Sequence, residues 1–198
     1  MKRLLVIGCL ASVSIITVFA SCGKPPEVCD IGYYLDAPQL CPDRASLGFG
    51  LEFRTGTFIG RTVSNTIDVR NGGTTDLVVS AAARTGDNAF SSDVIYDLPD
   101  GGSGTTLPAT IPGGKHLFLR VFFAPTQAKA YSGLLTVQSN SGPESIKKIL
   151  DGASAAGATP VVTANQGLPA GSFAFLLAGC GVPEDGGTSP CYLDGGTP

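Results

Sequence analysis

The strongest constraint on the fold is an alternation of apolar and other residues with a period of two. It is clearest at residues 117–123, where every second position is leucine, valine or phenylalanine. Because successive side chains of a β-strand point to opposite faces, this spacing predicts a strand with one face in a core. Shorter alternations occur at residues 47–51, 63–69, 77–83 and 131–137. We find no stretch with the 3.6-residue apolar spacing of an amphipathic helix, so the sequence predicts an all-β fold.

Turn signals between the apolar runs set the number of strands. Asn-Gly-Gly at residues 71–73 and Pro-Gly-Gly at residues 112–114 end two of the runs, because asparagine and glycine tolerate positive φ. A weaker run at residues 93–98 and a final run at residues 146–150 bring the total to about seven predicted strands. About seven strands between residues 46 and 153 are typical of an immunoglobulin-like β-sandwich.

Two further features refine this prediction. Phe118 and Phe122 lie on the second face of the run at residues 117–123, which indicates a strand that is central or covered on both faces. Lys147 and Lys148 form a basic pair on the last predicted strand, where they would guard a sheet edge against pairing with other chains.

The charge balance excludes one class of partner. The chain has 13 basic and 16 acidic residues and a formal net charge of −3. A nucleic-acid-binding surface needs a basic stripe to neutralise phosphates, so we expect no nucleic-acid partner.

The first residues have the pattern of an export signal. Lys2 and Arg3 precede an uncharged apolar run at residues 4–20. A short apolar run that follows positive charges and ends in small residues is typical of a secretory signal rather than of a spanning helix. The ending, Phe-Ala-Ser-Cys at residues 19–22, resembles the lipobox of bacterial lipoproteins. The alternative is an ordinary cleaved signal with a coincidental cysteine.

The lipobox resemblance implies a lipid anchor at Cys22. In lipoproteins the cysteine thiol receives a diacylglyceryl group, cleavage makes that cysteine the first residue, and its amine is usually acylated as well. Two or three acyl chains hold a protein stably to a bilayer, whereas one short chain holds it only marginally. Gly23 stands where an aspartate retains some lipoproteins at the inner membrane. We therefore expect export and anchoring to a bacterial membrane, the outer rather than the inner one.

The cysteine count agrees with this anchor. Of six cysteines, Cys9 leaves with the signal, and if Cys22 carries lipid an even number remains for disulfides in an oxidising compartment. The remaining four are Cys29, Cys41, Cys180 and Cys191. Of three possible pairings we favour Cys29–Cys41 and Cys180–Cys191. Each closes a loop of about a dozen residues and would contribute about 3 kcal/mol in the chain-entropy model. A zinc site is the alternative, but it is disfavoured because no Cys-x-x-Cys pair is present and the chain has an export signal.

These features divide the chain into four parts. They are a signal peptide at residues 1–21, a tether at residues 22–45 with the first disulfide, the immunoglobulin-like domain at residues 46–153 and a Gly/Ala/Pro-rich C-terminal extension at residues 154–198 with the second disulfide. The extension has one strongly apolar stretch, residues 173–177, which would add an edge strand to the sandwich or bind a partner.

The motifs of residues 46–153 resemble those of a family of immunoglobulin-like domains. Their order and spacing are similar to those of Hydin-like domains of the ASH type, which are related to major sperm protein. In chain order the motifs are Leu-Gly-Phe-Gly at 47–50, Gly-Arg-Thr at 60–62, Ile-Asp-Val-Arg-Asn-Gly-Gly at 67–73, Ile-Pro-Gly-Gly at 111–114, Val-Phe-Phe-Ala-Pro at 121–125 and Tyr-Ser-Gly-Leu-Leu-Thr-Val-Gln-Ser-Asn at 131–140. A Gly-rich insertion near residues 98–110 departs from the pattern. The resemblance implies a protein-binding module without catalysis.

No residue pattern selects a catalytic or metal site. His116 is the single histidine, and no Gly-x-Ser-x-Gly or Gly-x-x-x-x-Gly-Lys motif accompanies it. Asp93, Asp97 and Asp100 have oxygen ligands suited to Ca²⁺, but their spacing fits no calcium loop and favours solvated turn residues. We therefore expect no enzyme activity, no catalytic residue, no cofactor and no metal.

The sequence thus predicts a lipid-anchored envelope protein that displays a structural or protein-binding module. An exposed strand edge or the loops near residues 84–112 would contact another envelope protein. The alternative is a carbohydrate-binding or adhesion module at the cell surface. Its main loop aromatic would be Tyr96, since the chain has no tryptophan and Tyr33 and Tyr34 fall in the tether.

Overall fold

The computed structural model describes residues 36–50, 56–98, 101–184 and 191, and within them two β-sheets face each other. The strands are β1 (Leu40–Pro42), β2 (Ser46–Phe49), β3 (Thr57–Phe58), β4 (Val63–Asn71), β5 (Leu77–Gly86), β6 (Phe90–Asp97), β7 (Ser103–Gly104), β8 (Ala109–Ile111), β9 (His116–Phe123), β10 (Ala130–Ser139) and β11 (Ser172–Val182). The helices α1 (Pro143–Ala155) and α2 (Thr159–Ala164) lie between β10 and β11 along the chain.

The strand order is that of an immunoglobulin-like sandwich. One sheet has the order β1-β4-β9-β6-β7 and the other β2-β11-β10-β5-β8, with β3 pairing β11. In chain order, β1, β4, β5, β6, β9, β10 and β11 reproduce the A-B-E-D and G-F-C sheets of an immunoglobulin domain. β2 and β3 run parallel to β11, and the other described pairings are antiparallel. The predicted fold class is confirmed.

Alternation along β9 places the core as predicted. Every second residue of β9 from Leu117 to Phe123 is fully buried. At the centre of the sandwich the rings of Phe49, Phe90 and Phe123 lie 5.0–5.9 Å apart between centroids. Large aromatic side chains dominate core energetics, so this cluster fixes the two sheets against each other.

The strand predicted at residues 146–150 is wrong, because these residues belong to α1. Pro143 stands in the first turn, where a missing N–H leaves no helical bond unmade, and Glu144 beside it suits the helix dipole. One face of α1 packs against the core through Ile146, Ile149, Leu150 and Ala153. Their spacing is i, i+3, i+4 and i+7, so the sequence does contain a 3.6-residue apolar pattern, contrary to the all-strand expectation.

The basic pair assigned to an edge strand therefore lies on α1. Lys147 forms an ion pair with Asp151 one turn later, and both side chains are well exposed. The interpretation of Lys147 and Lys148 as guards of a strand edge is wrong, because no strand is formed there.

The sandwich draws strands from both sides of the predicted domain. β11 lies between β2 and β10, although β2 pairs with it only from Leu176 onward. Residues 173–177 therefore add a strand to the sandwich, as one of the two expectations held, and they do not form an exposed partner-binding segment. Phe173 and Phe175 are fully buried there. At the other end of the domain, β1 takes residues of the predicted tether into the first sheet, where they pair with β4.

Candidate interaction surface

The structure places three of the predicted disulfide cysteines. Cys180 and Cys191 form a disulfide, as predicted. Cys41 is buried in β1 and is disulfide-bonded. Its predicted partner Cys29 and the predicted lipidation residue Cys22 lie outside the described residues. Neither helix in the described part of the chain is long and apolar enough to cross a membrane.

Asn71, which lies in the motif at 67–73 that resembles ASH-type domains, connects several segments of the fold through its side chain. Its Oδ1 accepts hydrogen bonds from the N–H groups of Gln39 (3.2 Å) and Gly73 (3.0 Å). Its Nδ2 donates to the carbonyl oxygens of Thr75 and Ile111, both at 2.8 Å. The side chain is fully buried and all of its hydrogen-bonding groups are used, so it links β1, the turn after β4 and β8. This motif position is structural.

Tyr131, the first residue of the motif at 131–140, is structural as well. Its Oη accepts hydrogen bonds from the N–H groups of Thr126 (3.1 Å) and Gln127 (2.8 Å) and donates to the carbonyl oxygen of Gln127. The ring packs edge-on against Phe123, with centroids 5.4 Å apart. Tyr131 thereby fastens the β9–β10 connection to the core.

The outer face of the first sheet carries a different kind of surface. Side chains that point away from the core on β4, β9 and β6 remain partly or fully exposed. We call this surface the β9 face; its members are Asp68, Arg70, His116, Phe118, Arg120, Phe122, Asp93 and Ile95. The antiparallel register sets Phe118 between Asp68 of β4 and Ile95 of β6.

One side-chain hydrogen bond and one ion pair link β9 to its neighbours on this face. His116 Nδ1 lies 2.7 Å from Asp68 Oδ1, and Arg120 donates to Asp93 Oδ2 at 3.1 Å. The side chains are 35–55% exposed, and an ion pair with the exposure of Arg120 and Asp93 contributes about 1 kcal/mol or less to stability. Their main effect is to set the positions of the imidazole and the guanidinium.

Each of these two groups lies against a phenylalanine ring. The His116 ring stacks on Phe118, with centroids 5.9 Å apart and planes within 9°. The Arg120 guanidinium lies 5.1 Å from the centroid of the Phe122 ring. On the outward side of β9, a nitrogen-bearing side chain therefore alternates with a phenylalanine ring. The surface presents hydrogen-bond donors and aromatic ring faces side by side.

The sequence did not predict this surface. Phe118 and Phe122 were expected on a strand that is central or covered on both faces. β9 is central, but its outer face is only half-buried. The signal that could have revealed the surface is the alternation of basic and aromatic residues along residues 116–122.

The three aspartates considered for Ca²⁺ have other roles or lie outside the described residues. Asp93 pairs with Arg120, and Asp97 Oδ2 accepts a hydrogen bond from the N–H of His116 at 3.4 Å. Asp100 is outside the described residues. Within the part of the chain that the structure describes, no three His, Cys, Asp or Glu side chains are grouped to hold a metal ion.

The loops predicted at residues 84–112 are largely strands. β6, β7 and β8 all fall in this range. Tyr96, the main aromatic of the carbohydrate-binding alternative, lies in β6 and is 8% exposed. It is therefore a core residue and offers no loop platform for a sugar.

No family model matches the chain, and no curated protein is similar to it. Among solved structures the chain is similar to the ASH/PapD-like domain 7 of human CEP192, with 11% identity, a TM-score of 0.40 and coverage of 92% of this chain and 99% of that one. It is also similar to two proteins of Caenorhabditis elegans. SSP-19, an MSP-domain protein like family member, has 14% identity, a TM-score of 0.37 and coverage of 70% and 97%. The MSP family member WR4 has 10% identity, a TM-score of 0.33 and coverage of 73% and 98%. The similar structures thus include ASH and MSP domains, the kind that the sequence motifs resemble. By its two facing sheets and their strand order the chain is an immunoglobulin-like sandwich.

Proposed function

We propose that this protein is an exported, lipid-anchored protein-interaction module of a bacterial envelope. Acylated Cys22 would hold it to a membrane, and the residue that follows, Gly23, favours the outer membrane. The β9 face would bind another envelope protein. The lipobox resemblance supports the anchor, and the immunoglobulin-like sandwich supports a role in protein interaction.

The β9 face is the observation that carries this proposal. Phe118, Phe122 and Ile95 share one partly exposed surface with Arg120. Aromatic residues and arginine are enriched in protein interfaces and supply most of their binding energy. The paired aspartates beside them would orient a partner and select its charge rather than add much affinity.

The proposal includes no catalysis, no cofactor and no nucleic-acid partner. His116 is held by Asp68 and stacks on Phe118, which suits a contact residue of the surface. The formal net charge of −3 opposes binding to phosphates.

One observation favours a carbohydrate-binding role as a second candidate. The rings of His116 and Phe118 are nearly parallel on an exposed face, and flat aromatic surfaces stack on sugar rings. The burial of Tyr96 removes the residue on which that alternative mainly depended. The experiments below separate the two candidates.

The anchor is tested by metabolic labelling of the full chain with a clickable fatty acid. We expect the wild-type chain to carry label and to fractionate with membranes, and the Cys22→Ala chain to carry none. An unlabelled wild-type chain would remove the anchor from the proposal.

The β9 face is tested with a photo-crosslinking amino acid introduced into the full chain in cells. Position 118 lies on this face, and position 136, on the outer face of the second sheet, is the matched control. We expect a discrete protein adduct at position 118 that is lost when Arg120→Ala is added, and none at position 136. Equal adducts at both positions would contradict the proposal. Binding to a glycan array that is abolished by Phe118→Ala would support the carbohydrate candidate instead.

A further inference from the structure

Among the described strands, none pairs with a short stretch of β5 on one of its two sides. β10 pairs along one side of β5, whereas on the other side β8 reaches only residues 77–79. The open stretch, residues 81–85, lies between the bulge at Ser80 and Gly86, whose φ is +95°. We call residues 81–85 the β5 edge.

The alternation of hydrogen-bonded and non-bonded residue pairs between β5 and β10 shows which backbone groups of the β5 edge face outward. The N–H of Asp87 donates to the carbonyl oxygen of Ser132, in the same register that pairs Ala81 with Gln138. Bonded and non-bonded pairs alternate along an antiparallel ladder, so the odd-numbered residues of the edge bond to β10. The N–H and C=O groups of Ala82 and Arg84 therefore point away from β10, where the described residues provide no strand.

The side chains of the β5 edge leave these groups accessible. Ala81, Ala83 and Thr85 are small and exposed. The Arg84 guanidinium donates to the carbonyl oxygen of Asp87 in its own chain at 2.8 Å, so it is drawn along the strand rather than out from the edge. Proteins guard an open edge with charged side chains, proline, β-bulges or a covering segment. Residues 81–85 contain neither lysine nor proline, the bulge at Ser80 lies just before them, and their one charged side chain, Arg84, is bonded to Asp87 of its own chain.

We infer that the β5 edge pairs antiparallel with the same edge of a second copy of this chain, about a two-fold axis at Ala83. This register sets Ala82 opposite Arg84 of the second copy, and the reverse, so that four backbone hydrogen bonds form. Ala83 then faces Ala83 of the second copy in a non-bonded pair, where Cα atoms approach to about 4.5 Å and a methyl group fits. Thr85 faces Ala81, and no like charges stand directly opposite each other. The two Arg84 side chains are diagonal neighbours, and each is held by the Asp87 carbonyl oxygen of its own chain. The open stretch is therefore complementary to itself in length and in the alternation of its outward backbone groups, as a two-fold interface requires.

The open stretches of β6 and β4 lack this self-complementarity. On β6 the bond from the Ala124 N–H to the Ala89 carbonyl shows that Ser92 and Val94 face outward beyond β7. A two-fold axis in that stretch falls on Asp93 and sets two carboxylates against each other, which is unfavourable. On β4 the N–H of Thr66 already donates to Asn65 Oδ1 at 2.8 Å.

Cysteine cross-linking of the full chain in cells tests the interface and its register. With a mild oxidant we expect Ala83→Cys to give a covalent dimer several-fold above the wild-type background. Ala81→Cys and Thr85→Cys should each stay at background, because neither residue faces its own copy, whereas the double variant should cross-link. Ser91→Cys, an exposed residue of β6, is the matched control. Cross-linking of Ala83→Cys no stronger than that of Ser91→Cys would overturn the inference.

Charged substitutions at position 83, where the two-fold axis lies, give an independent test in the purified full chain. Ala83→Glu and Ala83→Lys each place like charges face to face, so each should sediment as a monomer at a concentration where the wild type sediments as a dimer. Differently tagged Glu and Lys variants made together should co-purify. Position 83 is exposed, so circular dichroism should show unchanged folding in both variants. A monomeric wild type, or an Ala83→Glu chain that remains dimeric, would overturn the inference. Neither test depends on the lipid anchor or on the β9 face.

Discussion

Asn165 takes the place of a neighbouring strand for Ala174. Its Nδ2 donates to the Ala174 carbonyl oxygen at 2.9 Å, and its Oδ1 accepts from the Ala174 N–H at 2.7 Å. Two residues of adjacent antiparallel strands exchange the same pair of bonds. β2 pairs with β11 only from Leu176 onward, so the side chain that follows α2 completes the sheet where β2 does not reach. Ala174 is fully buried, which makes both bonds necessary.

Asn165→Ala should therefore lower the free energy of unfolding by about 2 kcal/mol or more. The change leaves the N–H and C=O of Ala174 buried without partners, and each such group costs about 1–3 kcal/mol. Urea unfolding followed by circular dichroism measures the loss. Gln166→Ala, at an exposed neighbouring position, is the control and should stay within about 0.5 kcal/mol of the wild type. Equal stability of the two variants would contradict the assigned role.

Gly179→Ala should destabilise the sandwich by about 1–3 kcal/mol through overpacking. A Cβ atom at position 179 would lie 2.6 Å from Cζ of the buried Phe123 ring, and the core cluster leaves that ring little room to move. Gly142→Ala is the matched substitution, because no atom lies within 4 Å of its added Cβ. Thermal and urea unfolding should rank Gly179→Ala clearly below Gly142→Ala, and the reverse order would show that the Phe123 contact has been misjudged.

Removal of the Cys180–Cys191 disulfide should lower the free energy of unfolding by about 3 kcal/mol in the chain-entropy model, since the two cysteines are 11 residues apart. The double variant Cys180→Ala/Cys191→Ala avoids a free thiol. Its stability is compared with that of the wild type under non-reducing conditions. A reductant should then lower the midpoint of the wild type more than that of the variant. A variant as stable as the wild type would mean that this bridge does not limit unfolding.

Stability in acid should depend on Asp87. The Ser132 N–H bonds to its carboxylate at 2.8 Å and Lys129 Nζ at 2.9 Å, and together, the backbone bond first, they hold the pKa of Asp87 below its ordinary value of 3.8. Because the folded pKa is the lower one, the stabilising contribution is present above about pH 4 and is lost as the pH falls through the folded pKa. The unfolding free energy of the wild type should therefore fall more steeply below about pH 4 than that of Asp87→Asn.

Lys129→Met provides the control for this acid dependence. It removes the hydrogen bond and the charge of Lys129 and leaves the Ser132 bond, the largest single cause, in place, so part of the acid dependence should remain. The measurement is a series of urea unfolding curves between about pH 2 and pH 7. Parallel curves for the wild type and Asp87→Asn would show that the carboxylate does not contribute.

Prediction from sequence succeeded where the residues of a strand alternate clearly between apolar and other side chains. The alternation along residues 117–123 identified β9 and its buried face. Prediction failed at residues 146–150, because a run that short is compatible with a strand and with one turn of helix. Pro143 before the run and Ala153 after it, both outside that window, decide in favour of α1.

The β9 face was not predicted from the sequence, for a related cause. His116 and Asp68 are 48 residues apart, and only the antiparallel register of β4 and β9 brings them together. The sequence does contain the alternation of basic and aromatic residues along β9, but whether that side of the strand is exposed depends on what packs on the sheet.

The sequence by itself determined the all-β class, the turn positions and the core side of the main strands, because these follow from a two-residue period and from the backbone freedom of glycine and asparagine. The pairing of Cys180 with Cys191 was also within its reach, because a short loop joins them. Only the tertiary structure decided that β11 lies between β2 and β10, that Asn165 bonds the part of β11 that β2 does not reach, and that no described strand pairs with residues 81–85 on their outer side. Those outcomes depend on which distant segments cover one another's apolar faces and hydrogen-bonding groups. Such pairings cannot be read from the residue pattern of either segment alone.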